Sequence, residues 1–507
     1  RLDDRFRLLT GGARTALPRQ QTLRALIDWS YDLLSDPEKA LFRRLAVFVG
    51  GWTLEAAESV CSREGVESYE VLNLLTQLVD KSLVIVEEQD GTVRYHRLET
   101  IRQYAREKLF ETNEAASVRD GHLDHFIEQA RQSEKKIITM WFGDFLRDKS
   151  REDDNIRSAL SWAIDNHPVK AMELVTLNLT VWTWFLQGYI VEIRDWCEMI
   201  LARVDSMSPE EIQHDTNFLR LKARLWNRLA QALMNLGDHT GSQSAAEKSV
   251  GLAREIGDDE ILSEALGSVG IGALYSGNPE YAQKVTEEGV KISESKNYRW
   301  VKLWTYNTMI HIANINGDKA MAQEYKDKHA AVLQEEGVSV DPAEDKLDQS
   351  EKAFLKGEIK ISTRLAEEAF NILTERGDKY RLVNTLSSTA HFLREHGLFG
   401  KALNFYRRAI RLWQDLGHRS AVAHQLECFG LIAMAQEKSA RAVKLLSAAD
   451  VLRRSIDSVR TPVEQNEFED AKTNLQLKMD DFDKNWGEGR SMTMNEAIEL
   501  ALEETQK

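Results

Sequence analysis

The sequence predicts a mostly α-helical protein in two parts: a small N-terminal domain of helices with one β-hairpin, then a long right-handed solenoid of antiparallel helix pairs. Three observations carry this reading. Across 507 residues there are only 7 prolines and 28 glycines, whereas sandwiches and barrels need such residues in a turn roughly every ten positions. Five prolines directly follow a helix-capping residue, at Asp36-Pro37, Ser208-Pro209, Asn278-Pro279, Asp341-Pro342 and Thr461-Pro462, and proline at the first helical position loses nothing. Between residues 218 and 461 the glycines recur at a fixed interval, which marks equal helices stacked in register.

The N-terminal elements follow in order. Residues 21–35 place Leu23, Leu26, Ile27, Tyr31 and Leu34 at helical spacing, and a second helix starts at Pro37. Gly50 and Gly51 interrupt the chain, and Thr53 caps a third helix. A fourth helix over 69–82 leads into 83–98, which reads as two short strands around the hairpin signal Asp90-Gly91. Helices followed by a hairpin over residues 20–112 describe a winged-helix domain. Residues 113–217 read as irregular helical pairs rich in tryptophan, with Trp141, Trp162, Trp182, Trp184 and Trp196. Such rings form either a junction core or a pocket wall.

The repeat then begins. Gly237, Gly277, Gly317, Gly357 and Gly397 are spaced by 40, and Gly257, Asn297, Gly337, Gly377 and Gly417 lie midway between them. Asparagine is the next-best residue after glycine for a left-handed helix end, so each 20-residue segment is one helix, roughly 25 Å long, closed by its cap. Small residues keep the same register. Five positions after the first glycine of each pair come Ser242, Ala282, Ala322, Ser362, Ala402 and Ala442, and twelve after it Ser249, Gly289, His329, Ala369, Ala409 and Ala449. On the preceding helix Ala230, Gly270, Ser350, Ala390 and Gly430 match, with Ile310 as the exception. Matched small side chains let neighbouring helices approach closely. Six pairs cover 218–457, and leucine-rich helices over 458–507 cap the stack.

These offsets resemble the tetratricopeptide repeat, with a period of 40 in place of the usual 34 or so. The run from Arg1 to Cys61, followed by Tyr95-His96-Arg97-Leu98 and the helix after it, is similar to the segment that follows the nucleotide-binding core in STAND-class ATPases, the bacterial NB-ARC and LuxR-type relatives. The C-terminal stretch from Asn485 to Glu504 is similar to the end of their helical repeat domain. The resemblance implies that residues 1–19 are a linker from an upstream ATPase core, and that the winged helix packs on that core rather than reading DNA. It also implies that His96 senses the β-phosphate of bound ADP. Arg97 departs from the family pattern, which has an acidic residue there.

Several functions are excluded on composition. A net charge of −15 argues against broad binding to nucleic acid or acidic membranes. Cys61, Cys197 and Cys428 are odd in number and far apart, which suits a reducing cytoplasm. The uncharged span 174–191 is broken by Asn178, Gln187 and Gly188 and reads as a buried helix, not a membrane span. No phosphate loop is present; residues 143–150 lack its second glycine. No nucleophile elbow, zinc-protease motif or Cys-x-x-Cys occurs, so neither catalysis nor a metal is expected. His122 and His125 read as surface histidines, and His391 and His396 do not share a helical face. The chain starts at Arg1 without a signal peptide and is expected to be a fragment or a processed product.

The expected function is that of a regulatory sensor, not an enzyme. A protein, peptide or small-molecule inducer binds the solenoid, with Trp182, Trp184, Trp226 and Trp304 as candidate contact residues. The winged helix relays the event to an intramolecular NTPase core that carries ATP or ADP, with oligomerisation on activation; this chain itself holds no cofactor. Alternatives are a free-standing repeat scaffold for protein interactions, or a winged-helix DNA-binding regulator. Against the last, residues 1–112 hold 16 Lys+Arg and 18 Asp+Glu, and the helix over 69–82 offers Asn73, Gln77 and one base, Lys81.

Overall fold

The computed structural model describes residues 18–89, 92–134, 150–177, 184–185, 187–208, 216–337, 341–456 and 458–503. They divide into two compact units, one within 1–129 and 149–167, the other within 130–148 and 168–507. The tryptophan-rich segment 113–217 is thus shared between them and forms no unit of its own.

In the first unit, α1 (Pro18–Asp32), α2 (Asp36–Arg44), α3 (Leu54–Cys61) and α4 (Val71–Asp80) precede the strands β1 (Ile85–Gln89) and β2 (Thr92–His96). The strands pair antiparallel with Val86 opposite Tyr95, and Trp52 forms a further bridge to Tyr95 beside the hairpin. α5 (Glu99–Phe110), the start of α6 (Ala115–Glu134) and α7 (Asp153–Asn166) complete the unit. Local chemistry sets the boundaries. Ser35, one residue earlier than the sequence suggested, is the N-cap of α2, with Glu38 reaching back to it. Thr53 caps α3 by accepting from the Ala56 amide. Gly51 has φ +85°, and a Cβ there would lie 2.9 Å from the Tyr95 carbonyl oxygen, so the approach of the Trp52 segment to β2 requires glycine.

Two side chains hold this unit together from inside. Arg44 is 1% exposed and donates to the carbonyls of Cys61 and Glu64 and to the Glu114 carboxylate, which also takes a forked pair from Arg43. Asn155, fully buried, accepts from the Val49 amide and donates to the Gly51 carbonyl, fixing the turn before Trp52. His122 is not a surface histidine. It is 2% exposed, edge-on to Phe48 and Phe126, and burial pushes its pKa down to about 3, so it packs as a neutral ring.

The second unit begins with α8 (Pro168–Thr176) and α9 (Ile190–Asp205), followed by six helix pairs. These are α10 (Thr216–Leu236) with α11 (His239–Ile256), α12 (Asp259–Tyr275) with α13 (Pro279–Lys296), and α14 (Arg299–Asn316) with α15 (Lys319–Glu335). Then come α16 (Pro342–Leu355) with α17 (Ile359–Glu375), α18 (Lys379–Glu395) with α19 (Phe399–Asp415), and α20 (Arg419–Ala435) with α21 (Ser439–Arg454). α22 (Pro462–Lys478), α23 (Phe482–Ser491) and α24 (Met494–Leu502) close the stack. Asn278, Asp341 and Thr461 cap their helices as the sequence predicts, while Pro209 lies outside the described residues. No described helix is long and apolar enough to cross a membrane.

All nine glycines of the 20-residue register, and Asn297 at φ 57°, occupy the left-handed region. The phase continues one step further, to Glu437 at φ 61°. A side chain in this region costs about 1–2 kcal/mol that glycine avoids, offset in part by glycine's larger chain entropy. Glu437→Gly is therefore expected to raise stability by about 0.5–1 kcal/mol, read as an increase in the urea midpoint; a decrease would show that the Glu437 side chain contributes contacts that outweigh the strain.

The small residues mark points of close approach. Ser242, Ala282, Ala402 and Ala442 are wholly buried. A Cβ on Gly270 would fall 1.9 Å from Thr286 Oγ1, and one on Gly430 2.9 Å from Leu446 Cγ. Serine at such a site donates across the pair, as Ser249 does to the Ala223 carbonyl and Ser350 to that of Ser362. Where the register fails, at His329, the ring is only partly buried.

The solenoid also curls back on itself. A Cβ on Gly237, after the first helix of the first pair, would meet Ser420 Cβ of the sixth pair at 2.3 Å. Nearby, Ser420 shares a hydrogen bond with Ser458, and Gly277 faces Val459.

Candidate functional site

The curl encloses a cavity of about 1,410 Å³ in the second unit. Its wall comes mainly from the first helix of each pair, at helical spacing: Trp300, Trp304, Asn307 and His311 on α14, Tyr380, Asn384 and Ser387 on α18, and Ala421, His424 and Gln425 on α20. Tyr275, Trp413, Arg453 and the 459–464 segment add to it. Such residues recur every three or four positions because that spacing returns a side chain to the same face of a helix.

The charges on the wall are balanced. Asp341, Glu344 and Glu464 stand with Arg381, Arg453 and Arg460. Arg381 bonds Asp341 at 3.0 Å, and Arg453 and Arg460 converge on the buried Glu427 at 2.8–2.9 Å. Of the five imidazoles on the wall, four are lowered, whereas at His424 burial is outweighed by the Cys428 thiol and Glu464, which raise it well above its ordinary value. Burial pushes His239 down to about 4 and His418 to about 3, and it also lowers His311 and His329. The result is an aromatic, hydrogen-bonding wall with little net charge.

The buried polar atoms on this wall without a hydrogen-bond partner among the described residues include His239 Nδ1, Gln425 Oε1 and Arg460 Nη2. Each of these three belongs to a side chain at least nine-tenths buried, with Gln425 held by its amide on Ser387 Oγ at 3.1 Å. Leaving such atoms unpaired costs about 1–3 kcal/mol each, and a bound polar group would recover it.

The tryptophans named from the sequence divide. Trp304 lines the cavity, together with Trp300 and Trp413, which sequence reasoning did not single out. Trp184 is fully buried and so is core, not contact surface. Trp226 lies under the Lys248 ammonium, 4.0 Å from its ring centroid, and is not among the residues lining the cavity. Trp182 and Trp141 fall outside the described residues.

In the first unit, His96 ends β2 with its side chain 40% exposed and its Nδ1 4.0 Å from Glu87 Oε2. Arg97 next to it turns inward: its guanidinium lies 5.1 Å from the Phe42 and Trp52 ring centroids and donates to the Phe42 carbonyl. Burial lowers its pKa to about 9, so it stays charged at neutral pH. Lys81, the C-cap of α4, is paired with the Glu38 carboxylate.

The three cysteines are free and buried. Burial raises the thiols of Cys61 and Cys197 to about 12. Cys428 differs: burial acts upward there too, but the adjacent His424 and His391 rings bring it below the ordinary thiol range. His391 and His424 lie on separate helices, a meeting that spacing along the sequence does not reveal.

Comparison with known proteins adds the following. A family model described as a winged helix-turn-helix domain matches residues 34–110. A protein of Mycobacterium tuberculosis (strain H37Rv) named "Putative HTH-type transcriptional regulator" is 35% identical over 336 residues, covering 64% of this chain and 37% of its own length. An uncharacterized protein of the same organism is 48% identical over 118 residues, 23% of this chain and 30% of that protein. The chain thus spans little more than a third of the regulators it matches, at 37%. Among solved structures, a STAND protein with a tetratricopeptide repeat sensor from Pyrococcus horikoshii aligns at TM-score 0.44 and 17% identity, over 92% of this chain and 64% of that one. A Rap protein complexed with Competence and Sporulation Factor aligns at TM-score 0.44 and 14% identity, over 77% of this chain and 98% of that one.

Proposed function

We propose that this chain is the regulatory sensor portion of a STAND-type signal-transduction ATPase, and that its inducer binds inside the solenoid cavity. The observation that carries this is the cavity itself. At about 1,410 Å³ it exceeds the usual 300–1,000 Å³ or so of small-molecule pockets, and it presents rings and unpaired buried polar atoms together. That volume favours a short peptide or a large small molecule over a folded protein surface. The balanced wall charges favour an occupant with little net charge.

The winged helix is the natural relay in this reading. It carries no free basic face on α4, which supports contact with protein rather than DNA. In the longer protein, His96 would meet the β-phosphate of ADP on an upstream core, and its exposed ring at the end of β2 supports that role. The inducer acts only through differential affinity for the resting and active states; tight binding to both would shift nothing.

One experiment tests both ends. In the full-length protein, His96→Ala is expected to raise basal nucleotide exchange without inducer, while Trp304→Ala leaves the basal rate unchanged and weakens the response to a cell extract enriched in peptides and small molecules. An unchanged basal rate in the first variant would remove His96 as the sensor. An unchanged response in the second, and in a Gln425→Leu partner, would move the inducer out of the cavity.

A further inference from the structure

We infer that His391, His424 and Cys428 form a binding site for a zinc-type divalent cation. His424 and Cys428 are four apart on α20 and so share a face, with Cys428 Sγ 3.7 Å from His424 Nε2. Two ligands of a tetrahedral zinc, at about 2.0 Å for nitrogen and 2.3 Å for sulfur, stand about 3.5 Å apart, so this pair already has the required separation. His391 arrives from α18 of the preceding pair, and one donor atom from each of the three residues lies within 4.8 Å of the other two. Rotations of about an ångström close the triangle. This displacement is small for His391, whose side chain is 36% exposed.

Carboxylates stand beside both imidazoles. Glu464 Oε1 stands 3.2 Å from His424 Nδ1, the ring nitrogen not facing Cys428. The carboxylate stands beside that nitrogen at ion-pair distance, without a hydrogen bond, and leaves Nε2 toward the sulfur; a carboxylate in this position raises ligand basicity. His391 has Glu395 Oε1 at 3.3 Å from Nε2 and the Tyr406 hydroxyl at 3.4 Å from Nδ1. Two nitrogens and one sulfur select zinc-type cations over magnesium or calcium, which prefer oxygen. Three protein donors leave the fourth position to water or an exogenous ligand.

The test uses the full chain, stripped with a chelator and titrated with Co²⁺. Visible ligand-field bands and a near-ultraviolet thiolate-to-cobalt band are expected, saturating at one equivalent and bleached by Zn²⁺. Cys428→Ser removes the thiolate band, and His391→Gln, at a half-exposed position, weakens binding at least tenfold while retaining the parent circular dichroism. Glu464→Gln weakens it about tenfold through the basicity of His424. Cys61→Ala and Cys197→Ala keep the band. Absence of a saturable band in the parent chain overturns the site, as does a band that survives Cys428→Ser or is unmoved by His391→Gln. Should Cys428→Ser fail to fold, the His391→Gln titration decides.

Discussion

Replacing Glu427 by glutamine is expected to cost about 3–5 kcal/mol, concentrated in the last helix pair and the capping helices. Glu427 is 4% exposed and accepts from Arg453 Nε and Nη2 at 2.9 Å and from Arg460 Nε at 2.8 Å. Both arginine side chains are more than nine-tenths buried. Arg460 keeps a second carboxylate, Asp450 at 3.2 Å, and the nearest other acid to Arg453 is Glu464 at 3.7 Å, so removing Glu427 strands mainly Arg453. The buried charge, not the lost bonds, sets the size of the effect. Because repeat arrays unfold by nearest-neighbour units, hydrogen exchange is the proper readout. Protection should fall by two or more orders of magnitude in α20 to α22 and little in α12 to α15. A uniform small loss would show that water reaches the arginines. Since Arg453 and Arg460 also line the cavity, the same variant should blunt any inducer response.

Glu114→Gln is expected to destabilise the first unit by about 3 kcal/mol at neutral pH, the low end of the range for broken buried pairs because Glu114 is 29% exposed. Its partner Arg44 is 1% exposed and cannot reach water. Hydrogen bonding by Arg44, opposed by burial and reinforced by Arg43, holds the Glu114 carboxyl down at about 2. A carboxyl depressed in the folded state contributes stability above its unfolded pKa, about 4.3, and loses it as pH falls toward the folded value. The difference between parent and variant, from urea unfolding, should therefore be full at pH 6–7 and shrink progressively below about pH 4.5. A difference independent of pH would mean that Glu114 acts through shape alone.

How far the fold could be read differs by element. Helix ends in the solenoid were legible because a left-handed cap is a one-residue requirement, met by glycine nine times and by Asn297. Glu437 was not, since glutamate carries no such signal and only the phase of the repeat points to it. His122 was misjudged for a related reason: Asp124 between it and His125 suggests a solvated face, yet His122 turns toward Phe48, from a segment more than seventy residues earlier. The site was legible only in part. Trp304 was named from the sequence with Trp226 on equal terms, and only the packed helices separate a ring on the cavity wall from one covered by Lys248.

By itself the sequence determined the class of each element, the 40-residue period and the small residues along which the pairs pack, because each depends on φ, on capping or on helical spacing within a few residues. Tertiary structure decided that the stack curls until Gly237 reaches Ser420, that this encloses a cavity, and that His391 meets His424 and Cys428. Those outcomes sum small rotations over six pairs, and no short stretch of sequence carries the sum.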